Sequence, residues 1–134
     1  MTPLQQAIRG AEIEQSARFA SESASLEFVF APDFLGFGGH FPGAPVLPAA
    51  VQLMLGRHVL ERWRGQACRL VGLSQAKFLK RIGPDERVLV ACRLLPLPPL
   101  AGLNALRAQS ELRVWEGKQD VRASIFTLDL ELSA

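Results

Sequence analysis

From Ala49 to Trp63 nothing in the chain interrupts a helix except the mild penalty of Gly56. At 1.5 Å per residue that makes about 22 Å of rod. Its first three turns carry Ala49, Ala50, Val51, Leu53, Met54 and Leu55, apolar nearly all round, and Arg57, Glu61, Arg62 and Arg64 arrive only near the exit. A helix that is apolar on every side is expected to be buried on every side. In a chain of 134 residues, read as one domain spanning 1–134, only a sheet curling around the helix could enclose it.

The flanking sequence supplies that sheet. Residues 1–11 read as a short N-terminal helix or extension, with Leu4, Ala7 and Ile8 on one side. Residues 12–20, with Ile13, Ala17 and Phe19, read as a strand, and residues 25–30 as a cleaner one in which Leu26, Phe28 and Phe30 alternate with Ser25, Glu27 and Val29. Beyond the helix, strands are expected over 70–81, 87–95, 105–115 and 121–132, separated by Gly83-Pro84-Asp85-Glu86, the Pro96–Pro99 run and the hairpin at Glu116-Gly117-Lys118-Gln119. Two strands, one helix and four strands joined by short turns give an α+β fold, an antiparallel sheet wrapped around one long central helix.

Composition narrows the function classes. The net charge of +2 comes from scattered Arg and Lys, and the chain has no Tyr, so nucleic acid is not the expected partner. The apolar stretches are broken before spanning length, and the N-terminus lacks a signal-peptide layout, so the expected setting is cytoplasmic, without a membrane. Cys68 and Cys92 are too far apart for a metal-like pair and read as buried free thiols. Neither a metal nor an organic cofactor is implied.

The chemistry concentrates in the stretch leading into the helix. Gly36, Gly38 and Gly39 give the backbone freedom, and Pro42, Pro45 and Pro48 stiffen the segment after them. Between them stands His40, whose side chain exchanges a proton near neutral pH. Pro48 sits where proline favours a helix start. A histidine on a constrained loop beside a helix N-terminus is a candidate general base next to a set of unpaired N–H donors.

Gly39-His40-Phe41-Pro42, with Pro45 and Pro48 after it, resembles the signature of the hotdog-fold 3-hydroxyacyl-acyl carrier protein dehydratases of the FabZ/FabA kind. Ala76-Lys77-Phe78 and the Gly83-Pro84-Asp85 turn resemble further family blocks, and the similarity covers roughly residues 12–132. The resemblance implies a lyase that removes water from a 3-hydroxyacyl thioester in fatty-acid, polyene or polyketide-type synthesis. It implies a dimer joined through sheet edges, with an acyl tunnel at the contact and acyl carrier protein as partner, so that the phosphopantetheine arm arrives with the substrate. His40 then corresponds to the base, and the backbone N–H of Ala49, a glycine in relatives, to the donor that holds the thioester oxygen. Phe41, Val51, Met54, Leu55 and Phe78 are expected to line the tunnel, and Lys77, Lys80 or Arg81 to meet the acidic carrier.

One family position departs. The acid that relatives place fourteen residues after the histidine, and contribute across the dimer, is Met54 here. A thioether neither donates nor holds a proton. Gln52 is a poor acid, Glu61 lies two turns on, and His58, where relatives carry Gln, reads as a partly exposed helix histidine. The expectation is a dehydratase-like subunit that pairs as a homodimer or is completed, as one half of a heterodimer, by a second, acid-bearing dehydratase-like chain. The alternatives are a non-catalytic acyl-binding or scaffolding subunit, or a hotdog thioesterase.

Overall fold

A computed structural model of the chain describes residues 1–38 and 45–133. Two helices, α1 (Pro3–Gly10) and α2 (Ala49–Arg64), accompany six strands: β1 (Arg18–Phe19), β2 (Ser23–Val29), β3 (Cys68–Phe78), β4 (Arg87–Leu94), β5 (Ala105–Glu116) and β6 (Gln119–Leu132). All neighbours are antiparallel, in the order β1-β2-β4-β5-β6-β3. Strict two-residue alternation puts Val88, Val90 and Cys92 of β4 and Leu106, Ala108, Leu112 and Val114 of β5 on one covered face. α2 lies across that face, and its Leu55, Val59 and Leu60 are fully buried in the same core as Phe28, Phe126 and Leu128.

Two local expectations are corrected. Residues 12–20 do not form a continuous strand: a 3-10 turn (Glu14–Ser16) precedes the two-residue β1. The Ser16 hydroxyl donates to the Ile13 carbonyl at 2.6 Å and accepts the Glu27 amide at 2.8 Å, so a side chain takes over backbone bonds that a ladder would have used. The helix is also not enclosed all round. Ala49 and Ala50 are exposed and Leu53 and Met54 half-buried, while the polar Gln52 and His58 are buried. A single sheet covers one side of a rod, and here the apolar first turns outrun that cover.

Gly56 is more than a tolerated helix residue. A Cβ there would lie 2.8 Å from Ser110 Oγ and 3.1 Å from both Leu128 Cδ1 and Phe126 Cε2. Its absence lets α2 settle onto β5 and β6, which offsets its helix-propensity cost of about 1 kcal/mol.

β3 ends the sheet and pairs with β6 alone. Leu70, Val71, Leu73 and Phe78, with Leu79 just past the strand, are all exposed, so this long edge carries apolar side chains on both faces. Its ladder shifts register between Leu70 and Gly72 and again between Ser74 and Lys77, where Gln75 takes φ 51.

Candidate active site at the start of α2

α2 begins without a side-chain cap. Pro48 occupies the capping position in extended geometry (ψ 153), and no side-chain hydrogen bond closes the first turn. Gln52 N–H makes the first helical bond, to Pro48 O at 3.0 Å, which leaves the amides of the preceding turn to outside acceptors. Ala49 is exposed here, on a cleft of about 320 Å³ that it shares with Leu47, Gln52, Phe78, Leu79 and Arg81. The positive end of the helix dipole therefore opens onto space large enough for a small group. The segment before it is pinned by Leu47, whose N–H donates to Ile82 O at 2.8 Å and whose carbonyl accepts Gln52 Nε2 at 3.1 Å. Gln52 Oε1, by contrast, is enclosed without a partner among the described residues.

The sequence-predicted residues divide three ways. Ala49 and Phe78 come together on this cleft, with the Phe78 ring stacked on Phe126 at 6.3 Å between centroids. Val51 and Leu55 belong to the buried core and line neither of the clefts beside α2, so a tunnel-lining role does not follow from their placement. His40 and Phe41 lie outside the described residues. Of the three candidate carrier contacts, Lys80 is engaged with Glu116 at 2.6 Å, and Lys80 and Arg81 both border the cleft.

Met54 faces a second cleft, about 500 Å³, between α1 and α2. No carboxylate stands on the adjoining turn in its stead. The neighbour one turn on, His58, is a correction: it is buried, not partly exposed, because Glu12 reaches across from the N-terminal segment. His58 Nε2–H and Arg62 both donate to the Glu12 carboxylate, and the imidazole stands edge-on to Phe28 at 5.9 Å. Burial pushes the Glu12 carboxyl up, but the hydrogen bonds from Arg62 and His58 outweigh it and hold the group below its usual range. Sequence reasoning does not find Glu12, because nothing local links it to a helix residue 46 positions away.

Cys68 and Cys92 are free and buried. Burial pushes the Cys68 thiol up to about 11 and the Cys92 thiol up to about 12, so neither is poised as a nucleophile. Among the described residues no cluster of His, Cys, Asp or Glu is arranged to hold a metal ion, and no helix is long and apolar enough to cross a membrane.

Comparison with known proteins gives this geometry a family. A family model described as ApeI-like, ApeI dehydratase, matches residues 15–97. The 3-hydroxyacyl-[acyl-carrier-protein] dehydratase FabZ of Enterococcus faecalis is 30% identical over 79 residues, which cover 51% of this chain and 53% of that protein. The chain thus spans about half the length of that curated relative. Among solved structures, the dehydratase heterocomplex ApeI:P from Xenorhabdus doucetiae superposes with TM-score 0.62 at 22% identity, covering 90% of this chain and 96% of the other. A hexameric thioesterase from Yersinia pestis gives TM-score 0.60 at 13% identity, covering 81% and 85%. At such identities the structural matches establish a shared fold, the hotdog fold, and nothing finer.

Proposed function

Given that this chain belongs to the ApeI-like dehydratase family and has the hotdog fold, we propose that it is a subunit of a 3-hydroxyacyl-[acyl carrier protein] dehydratase whose proton-donating residue comes from a second, different dehydratase-like chain. The observation that carries this reading is the uncapped start of α2, where the exposed Ala49 opens onto a cleft. A thioester oxygen received there meets backbone N–H donors and the dipole's positive end. That acidifies the carbon next to the carbonyl and stabilises the enolate formed when a proton leaves it.

In this reading His40, eight residues before the Pro48 cap, takes that proton. The C–O bond at position 3 then breaks, and the departing hydroxyl takes a proton from an acid to leave as water. Met54 cannot provide it. On this reading the partner chain's helix does so, and a similar fold is found in a dehydratase heterocomplex, ApeI:P. The apolar, one-sidedly paired β3 is the edge at which two such subunits would join, since a long exposed edge of this kind is otherwise an aggregation site. The acyl carrier protein delivers the substrate on its phosphopantetheine arm, so the protein itself needs no cofactor.

The test is hydration of an enoyl thioester, the reverse reaction, by the chain alone and after co-expression with an ApeI-like chain that carries a carboxylate at the Met54 position. The mixture is expected to be active and the single chain nearly inactive, with activity lost on His40→Ala in this subunit. Full turnover by the isolated chain sinks the shared-site account. Inactivity of every mixture, with unimpaired assembly, instead supports the scaffolding role that Met54 would equally permit.

A further inference from the structure

The cleft between α1 and α2 carries charge that the rest of the molecule does not answer. Six arginines have no ion pair among the described residues, Arg18, Arg64, Arg81 and Arg93 elsewhere and Arg9 and Arg57 here. Those two guanidiniums line the same cleft, Arg9 from the last turn of α1 and Arg57 from α2. Arg57 Nε is enclosed there with no hydrogen-bond partner among the described residues. An enclosed donor on a permanently charged group is costly to leave unmet, so such an atom marks a place where something else binds.

The local charge balance says what. Arg9, Arg57 and Arg62 line the cleft together with Glu61, and Glu12 lies behind them on Arg62. The cationic side chains outnumber the carboxylates, and one Glu61 oxygen is already occupied by the Cys68 amide at 2.8 Å. The floor is apolar, formed by the fully buried Ile8 and the half-buried Met54. A volume of about 500 Å³ falls within the range of small-molecule sites, about 300–1,000 Å³.

We infer that this cleft is a binding site for an amphipathic monoanion, an aliphatic carboxylate whose head pairs with Arg57 and Arg9 and whose tail lies on Ile8 and Met54. A carboxylate matches the planar guanidinium fork, and its aliphatic tail suits the apolar floor of Ile8 and Met54, which inorganic phosphate could not use. The tail has apolar side chains to displace water from.

The experiment is calorimetric titration of the full chain with octanoate, 1-octanol and inorganic phosphate. Octanoate is expected to bind saturably at one site per chain, with the other two probes at least tenfold weaker. Arg57→Gln and Arg9→Gln should each weaken octanoate about tenfold or more, the loss of one charge-assisted contact. Met54→Glu, which puts a like charge on the apolar floor, should abolish binding. If Arg57→Gln fails to fold, Arg9→Gln at its exposed position decides alone. Absence of octanoate binding, octanol or phosphate binding as tightly as octanoate, or arginine variants that bind like the wild type would each overturn the assignment.

Discussion

Glu12 and His58, 46 residues apart, meet side chain to side chain behind the α1–α2 cleft, and Arg62 closes on the same carboxylate from one turn further along α2. With both carboxylate oxygens occupied, the N-terminal segment is fastened to the central helix by charge-assisted hydrogen bonds, and the Glu12 and His58 side chains are only 8% and 11% exposed. The position where relatives would have an acid one turn before His58 is thereby left facing a cleft whose polar groups are cationic or already paired.

Replacing Glu12 by Gln should cost about 1.5–3 kcal/mol near neutral pH, since two donors lose an ionised acceptor. The folded carboxyl is held below its usual value of about 4.5, so its stabilisation is fully present above pH 4.5 and is lost as pH falls through the lower folded value. Chemical denaturation of both proteins from pH 3 to pH 8 should show a gap that is constant above about pH 4.5 and shrinks below it. A gap that widens on acidification contradicts the clasp.

Gly56→Ala tests how tightly α2 is seated. On an open helix the change would stabilise by about 1 kcal/mol, but here the new methyl meets Ser110 Oγ, which is itself 3.1 Å from Cys92 Sγ in the core. Overpacking of this sort costs about 1–3 kcal/mol, so a lower melting temperature is expected in a thermal melt. An unchanged or raised value means that the helix can lift off β5 and β6.

Thiol chemistry reports on the same packing. With Cys92 pushed up to about 12 and Cys68 to about 11, both are thiols at pH 8. Iodoacetamide labelling with mass-spectrometric readout should leave Cys92 unmodified in the native protein and modify it only as fast as the chain unfolds. Prompt native-state labelling of Cys92 would contradict its burial.

Met54→Glu restores the family's carboxylate at its expected position. On the dehydratase reading, the isolated chain should gain enoyl-thioester hydration by about 10²-fold, the ordinary scale of a general acid. The gain should vanish again when His40→Ala is added. No gain in a well-folded variant argues that the histidine loop does not address this position across the dimer.

Lysine at Val71 and Leu73 together tests the edge. Both are exposed on β3, at 52% and 45%. Charges on a lone edge strand block pairing. If β3 is the joining edge proposed above, light scattering should show a dimer for the wild type and a monomer for the double variant at the same concentration.

Much of this architecture is legible in the chain. Alternation in β4 and β5 is regular, the Glu116–Gln119 turn is short, and α2 has a proline start and a glycine stop, so local rules place these elements within a residue or two. The 12–20 segment departs from its strand-like pattern because one hydroxyl, Ser16, redirects its backbone bonds through a contact with Glu27 that no local pattern signals. For the candidate site, the α2 start can be read from Pro48 onward, whereas the roles of Ala49 and of position 54 follow only from the resemblance to the dehydratase family. Val51 and Leu55 lie in the core of the single chain, as the apolar periodicity of α2 predicts, and that periodicity does not say what covers them.

Periodicity, turn residues and one contiguous motif suffice for the antiparallel sheet, the single long helix and the family, since all of them act between near neighbours. It takes the folded chain to show that Gly56 is a contact point, that β3 is an unshared apolar edge, that His58 is clasped by Glu12, and that Arg9 and Arg57 converge without ion-pair partners among the described residues. Those are relations between segments brought together by packing, and the energy of burying or pairing a group depends on what arrives opposite it, which one-dimensional spacing does not encode.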